Sequence, residues 1–411
     1  MKFNCRHCNN ILSHELIDLG SQPPSNNYLT EEELKNTEKT YPLQTFICEK
    51  CWLVQIPEYA KPEELFKSDY AYFSSTSSSW CNHANDFVEK CLTEKIIDQD
   101  SFVVEIASND GYLLQYVQKK GINCLGIEPT ADTSEAAERK GIKTIREFFG
   151  EDIAKKLKEQ NENFKKLPNL IIANNVIAHV PDINDFMKGL SQIIDSNGII
   201  SIEFPHLLNL IQKNQFDTIY HEHYSYLSLK VIKRIADYSS LEIVNVEELT
   251  THGGSLRVWL KKKVSIEKNL ISKNVSIVLR KEEKFNLEKL STYKDFHQNI
   301  DLIRNNIFRF LDDCILKNKI VGGYGAAAKA NTLLNFLKLN NRHVKFVADK
   351  SKSKQNKFLP GSRIPIISPD KIAYYKPDII IIFPWNIAYE IKSSLKEYEL
   401  YVLLPKLKKI N

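Results

Sequence analysis

SFVVEIASNDGYLLQYV (residues 101–117), followed by INCLGIEPT (residues 122–130), decides the fold. Phe102 to Ile106 is a short apolar run of strand length, Asn109-Asp110-Gly111 is a turn, and a helix is expected from near Tyr112. The second run is a strand ending in Glu128, about 20 residues after the first turn, where an acidic side chain can hold both hydroxyls of a ribose. Gly111 is the single glycine of the loop, and the phosphate-cradling GxGxxG is absent. A dinucleotide needs that cradle. S-adenosylmethionine has no pyrophosphate and does not, so the pattern leans toward the methyl donor. The plain alternative, a turn glycine and a strand-end carboxylate, stays open at this point.

Strands and helices keep alternating downstream. GIKTIRE, LIIANNVIAHVPDINDFM and GIISIEFPHLL each open with a strand, and LEIVNVEEL and SLRVWLKKK flank the turn THGG at 251–254. Seven strands with the last two hairpin-linked predict an α/β class I methyltransferase sheet, Rossmann-like in character. Ligands of such sheets bind at the carboxyl ends of strands. That rule collects Asn109, Gly111, Glu128, Asn174 and Asn175 as cofactor-binding candidates, together with His179. It also collects FDTIYHEHYSYLS, residues 216–228, after the fifth strand. Tyr220, His221, Glu222 and His223 are four consecutive proton-handling groups, and a histidine needs little shift to act as a base near neutral pH. A helix of core aromatics and a His-x-His metal site are the competing readings.

Toward the N-terminus, Cys5-x-x-Cys8 and Cys48-x-x-Cys51 are separated by a 39-residue gap. Two knuckles supply four thiolates, the ligand set of a closed structural zinc site. Such a site leaves no open position for catalysis. LVQIP reads as a strand, KPEELF as a helical turn, and DYAYFSSTSSSW (residues 69–80) as an ordered loop whose hydroxyls face a cleft, because linkers rarely carry that many aromatics.

Toward the C-terminus, residues 265–318 carry apolar side chains at helical spacing and are expected to form long connecting helices. KIVGGYGAAAKANTLLNFL then gives a strand, glycines at 322, 323 and 325, and a small-residue helix whose first amides form an anion site. Lys329 lies one turn in, and Asp349 and Asn386 lie near the ends of the next strands. A small Rossmann-like domain binding a nucleotide or its phosphates is expected here.

Composition sets outer limits. The chain has 411 residues, so two or three domains are expected. The formal charge of +5 is dispersed, and no strand interleaves basic and aromatic residues, which argues against nucleic acid. No apolar run reaches membrane-spanning length, and MKFNCRHCNN has no apolar h-region. Eight cysteines in that context point to a reducing, cytoplasmic setting. Nothing suggests an obligate partner; a monomer or weak dimer is expected.

These motifs, in this order and over nearly the whole chain, resemble the bacterial sugar C-methyltransferases that act on nucleotide-linked 4-keto-deoxysugars. The matching stretches include both CxxC pairs, YAYFSSTSSSW, ASNDGYLLQ, GIEPT, NNVIAHVPDINDF, EFPHL, FDTIYHEHYSYLS, THGGSLR, GYGAAAKANTLLN, LPGSRIPI and FPWN. Ala330 departs from the pattern, standing where glycine is expected. The resemblance implies three domains: a zinc-binding one (1–67), an S-adenosylmethionine domain (68–264), and helices plus a Rossmann-like domain (265–411). It implies that the sugar nucleotide binds between the latter two, through Tyr72, Lys329, Asn331, Asp349 and Asn386. A base would remove the C-3 proton acidified by the C-4 ketone, and the enolate would take the methyl group. By the match His223 is the preferred base, Tyr220 and Glu222 position it or the 4-oxygen, and His179 binds the sugar or shares the proton. A nicotinamide-dependent sugar-nucleotide oxidoreductase and a non-catalytic S-adenosylmethionine-binding regulator are the two alternatives.

Overall fold

The computed structural model describes residues 3–65, 73–263 and 271–410. Among these, three sheets form. The N-terminal one contains β1 (His14–Gln22), β2 (Tyr41–Ile47) and β3 (Val54–Gln55), paired antiparallel in that order. The two CxxC knuckles sit at its end. In each, the residue after the second cysteine closes the turn, with Asn9 N donating to Cys5 O and Trp52 N to Cys48 O.

The central sheet contains β4 (Phe102–Ile106), β5 (Asn123–Ile127), β6 (Thr144–Ile145), β7 (Leu170–Asn174) and β8 (Ile199–Pro205), all parallel. β4 and β7 are rich in Val, Ile and Leu without polar–apolar alternation because helices cover both faces of the sheet. The chain then leaves the sheet and forms β9 (Ser225–Tyr226), which pairs with β3 of the N-terminal domain. It returns as the hairpin β10 (Leu241–Leu249) and β11 (Ser255–Lys262). β11 inserts antiparallel beside β8, giving the order β10-β11-β8-β7-β4-β5-β6. The order reverses at β4, so the C-terminal ends of β4 and β7 open a crevice there. The expected class I methyltransferase sheet is present.

Two helices, Lys273–Lys284 and Ser291–Leu316, lead to the third sheet. It contains β12 (Val321–Tyr324), β13 (Val347–Ala348), β14 (Ile366–Ile367), β15 (Ile379–Ile382), β16 (Glu399–Val402) and β17 (Lys408–Lys409). The order is β14-β13-β12-β15-β16-β17, parallel except for the last pair. This is the expected C-terminal Rossmann-like domain. One apolar core runs from the N-terminal sheet into this domain: Leu43 and Ile47 share a cluster with Leu210, Phe216, Ile219, Leu333 and Phe383. No helix among the described residues is long and apolar enough to cross a membrane.

Candidate active site

A single cleft of about 660 Å³ lies where the three parts meet. Its first wall is the end of β4 and β5. Ala107, Asn109 and Gly111 all adopt positive φ (54°, 50° and 71°), so this loop is wound more tightly than ordinary side chains favour. The winding is locked by Glu128, which is 4% exposed. Its Oε2 accepts the amide of Asn109 at 2.9 Å, and its Oε1 accepts the amide and hydroxyl of Thr130. Ser74 N donates to Asn109 Oδ1 at 2.9 Å, and Ser75 binds the Asp110 carboxylate. The described part of the serine-rich segment, from Phe73, therefore closes over the loop, and residues 69–72 of that expected loop lie outside the described residues. Tyr72 lies outside the described residues.

The end of β7 supplies Asn174 and Asn175. Asn174 Oδ1 accepts the Ser201 hydroxyl at 3.0 Å. Asn175 also has positive φ, its backbone amide donates to Glu203 O at 2.7 Å, and both polar atoms of its side-chain amide are buried without a partner among the described residues. A carboxylate offers about four acceptor sites, and three at Glu128 are used internally. The remaining one, with the unpartnered amide of Asn175, fits a bound nucleoside. Gly111 does not face the cleft. A Cβ there would lie 2.4 Å from Ile142 Cδ1 and 3.3 Å from Ala137 Cβ, so the glycine serves close loop-to-helix packing.

The second wall is the segment after β8. Residues 220–224 form a loop rather than a helix, and its side chains diverge. Tyr220 and His223 line the cleft. His221 turns to the N-terminal domain, where its Nε2–H is 3.2 Å from the carbonyls of Tyr41 and Pro42. Glu222 is 0% exposed and turns the same way; its Oε1 accepts from the Asn26 backbone amide at 3.2 Å and Nδ2 at 3.1 Å, while Oε2 has no partner among the described residues. Burial pushes the Glu222 carboxyl up to about 7.

His223 Nδ1–H donates to Thr218 O at 3.0 Å, leaving the lone pair on Nε2, which accepts from the Tyr220 hydroxyl at 2.8 Å. Burial, then the nearby His179, hold His223 well below the usual imidazole value, so it is neutral. His179 packs edge-on against it with ring centres 4.6 Å apart, and its Nδ1–H donates to Glu222 O at 2.8 Å. Burial lowers His179 to about 4, so its Nε2 also carries a lone pair.

The third wall is the C-terminal domain. Ala327, Ala328 and Lys329 stand at the start of helix Ala328–Phe336, which has no side-chain cap. Lys329 Nζ donates to Asn386 Oδ1 at 2.9 Å and sits 4.7 Å from the centre of the Trp385 ring. Desolvation lowers the Lys329 ammonium below its ordinary value. Lys354 also lines this wall, donating to Ala326 O at 2.8 Å.

Two expected contacts lie elsewhere. Asn331 is 0% exposed, and its Nδ2 donates to Ser25 O at 2.6 Å, so it ties the helix to the N-terminal domain behind the cleft. Asp349 holds its own loop, accepting from Ala326 N at 2.7 Å and Ser351 N at 2.8 Å. Conversely, the cleft contains Asn26, Trp80, His252 and Lys354, which no strand-end rule selects. Asn26 and Lys354 arrive on loops, and His252 stands inside a turn whose glycines masked it.

The four cysteine sulfurs Cys5, Cys8, Cys48 and Cys51 lie within 4.8 Å of one another, with Cys5–Cys51 and Cys8–Cys48 at 3.5 Å. Zn–S bonds of about 2.3 Å in a tetrahedron require sulfurs roughly 3.8 Å apart. The set fits a structural zinc ion, and none of the four cysteines lines the cleft.

The chain is similar over 96% of its length, at 30% identity, to the C-methyltransferase NovU of Streptomyces niveus, 92% of which is covered. It belongs to the bacterial C-methyltransferase family. Family models match in the same order: a zinc binding domain over residues 5–66, a methyltransferase domain over 77–246, and a C-methyltransferase C-terminal domain over 250–401. Among solved structures, a magnesium protoporphyrin IX methyltransferase from Synechocystis PCC 6803 covers 44% of this chain and 79% of its own at 11% identity and a TM-score of 0.34. The PH0226 protein of Pyrococcus horikoshii OT3 covers 47% and 95% at 13% identity and a TM-score of 0.37. This C-methyltransferase uses S-adenosylmethionine and carries a structural zinc site.

Proposed function

We propose that the enzyme methylates C-3 of a nucleotide-linked 4-keto-(deoxy)sugar by way of an enolate, in the formation of a branched-chain sugar. The observation that carries this reading is the meeting, in one cleft, of the Glu128 loop, the Tyr220–His223 pair, and the Lys329 helix terminus. Carbon methylation needs a carbanion, and a ketone beside the reacting carbon makes one accessible to an ordinary base. S-adenosylmethionine, when bound, supplies an electrophilic methyl group.

In this reading Asn109, Glu128, Asn174 and Asn175 hold the methyl donor, with Gly111 shaping their loop. Lys329, Asn386 and the first amides of helix Ala328–Phe336 receive the diphosphate of the sugar nucleotide. His223 is the base. Its Nε2 holds the Tyr220 hydroxyl, so the C-3 proton passes to the Tyr220 oxygen as the phenolic hydrogen passes to His223. His179 lies beside the pair and contacts the sugar. Glu222 acts through its backbone carbonyl on His179 and through its buried carboxylate on Asn26.

The test is incubation with methyl-labelled S-adenosylmethionine and a panel of nucleotide-linked 4-keto sugars. Label on sugar carbon is expected. Label on oxygen or nitrogen, or none across the panel, overturns the reading. His223→Ala should abolish deuterium exchange at C-3, and exchange that persists in it would move the base to His179.

A further inference from the structure

An enolate places negative charge on the ketone oxygen, and a catalyst that forms it needs a hydrogen-bond donor at that oxygen. The proton-handling groups do not supply one. His223 spends its N–H on Thr218 O, Tyr220 spends its hydroxyl on His223, and His179 spends its N–H on Glu222 O. With the N–H of each ring on Nδ1, the Nε2 atoms of both histidines carry no hydrogen to donate to an oxyanion.

His252 is the remaining imidazole of the cleft. It sits in the turn between β10 and β11 with φ 52° and ψ 23°, inside the left-handed region. A non-glycine residue held there costs about 1 kcal/mol or more, and such strain clusters at functional sites. Gly253 lets the turn lie against the C-terminal domain, since a Cβ there would be 2.4 Å from the Trp385 ring. Trp80 meets the imidazole edge-on at 5.0 Å between ring centres. Thus the turn is fixed by Gly253 and the ring packs against Trp80, yet the ring makes no hydrogen bond to a described residue. Burial, then the nearby Lys329, lower His252 to about 4, and it is close enough to His179 and Glu203 to feel both. A neutral imidazole always carries one N–H.

We propose that His252 is a further catalytic residue, donating its imidazole N–H to the ketone oxygen as the enolate forms; this rests on the enolate reading above. The C-3–H bond breaks and its proton goes to the Tyr220–His223 pair. Its electrons form the C-3–C-4 π bond, and the C-4–O π pair moves to oxygen, against the His252 N–H. When the carbon takes the methyl group, the ketone re-forms and the hydrogen bond weakens.

The experiment follows C-3 deuterium exchange in D2O with S-adenosylhomocysteine bound, so that enolate formation is seen without methyl transfer. His252→Phe keeps a ring of similar shape. His252→Asn tolerates the left-handed backbone but is too short to reach. Both should slow exchange about 100-fold, while affinities for S-adenosylhomocysteine and for nucleoside diphosphate change less than about threefold. Exchange at the parent rate in His252→Asn with ligand binding intact overturns the role. A loss of diphosphate affinity that accounts for the slower exchange also overturns it, making His252 a phosphate contact. Absence of exchange in the parent enzyme across the whole ketone panel overturns the enolate reading itself, a different result from either.

Discussion

Glu222 illustrates how neighbours in sequence take separate duties. It stands beside His223 and was expected to act on it or on the substrate, but a loop backbone sends its carboxylate into the N-terminal domain. Burial raises that carboxyl from 4.5 to about 7. The folded state therefore favours the acid form. The stability it contributes is fully present below about 4.5, declines as pH rises, and is gone above about 7. Glu222→Gln removes this slope. Relative to the parent, the variant should gain up to about 3 kcal/mol between about pH 4.5 and pH 8. Denaturant midpoints at the two pH values check this; a gap that does not change with pH would mean that Glu222 titrates normally.

At the scale of elements, Gly111 carries the turn of the Glu128 loop, the proposed methyl-donor site. Its φ is +71°, and an added Cβ would sit 2.4 Å from Ile142 Cδ1. Gly111→Ala combines left-handed strain with overpacking, about 2–4 kcal/mol together. Thermal unfolding should come at a lower temperature, and S-adenosylhomocysteine should bind more weakly because Asn109 and Asp110 move with the turn. Unchanged melting and binding would show that the helix gives way freely. This turn was legible in SFVVEIASNDGYLLQYV because strand, breaker and helix are all local signals. The same is true of the central sheet and of the C-terminal glycine turn. The pairing of β3 with β9 was not legible, since it joins two dipeptides about 170 residues apart whose own propensity is negligible. Asn331 was misleading for a related reason. Two residues past Lys329 on a helix is about 200° around the axis, so when Lys329 faces the cleft Asn331 faces Ser25. His252 was hidden because THGG reads as a turn, and the strain that singles it out is visible only in φ and ψ.

At the scale of the whole molecule, the zinc-bearing domain supports the 220–226 loop from outside the cleft. The zinc-bearing domain touches the site through β9, through the carbonyls of Tyr41 and Pro42 on His221, and through Asn26 on Glu222. It grips the C-terminal domain through Asn331 on Ser25 and through the Tyr28 hydroxyl on Ala326 O at 2.6 Å. Binding energy of a four-thiolate zinc site is folding energy for the segment that holds it. Chelation should thus loosen residues 5–55 first, then free the 220–226 loop from its support. The Glu128 site, built on β4 and β5, should persist. The expected sequence is rapid amide exchange in β2 and β3, followed by loss of turnover at the same rate, with S-adenosylhomocysteine binding retained within about threefold. Cys48→Ser should reproduce that state without chelator. Turnover that vanishes before any change in amide exchange would overturn a structural role, because a metal acting only through the fold cannot be felt at the cleft until the fold has moved.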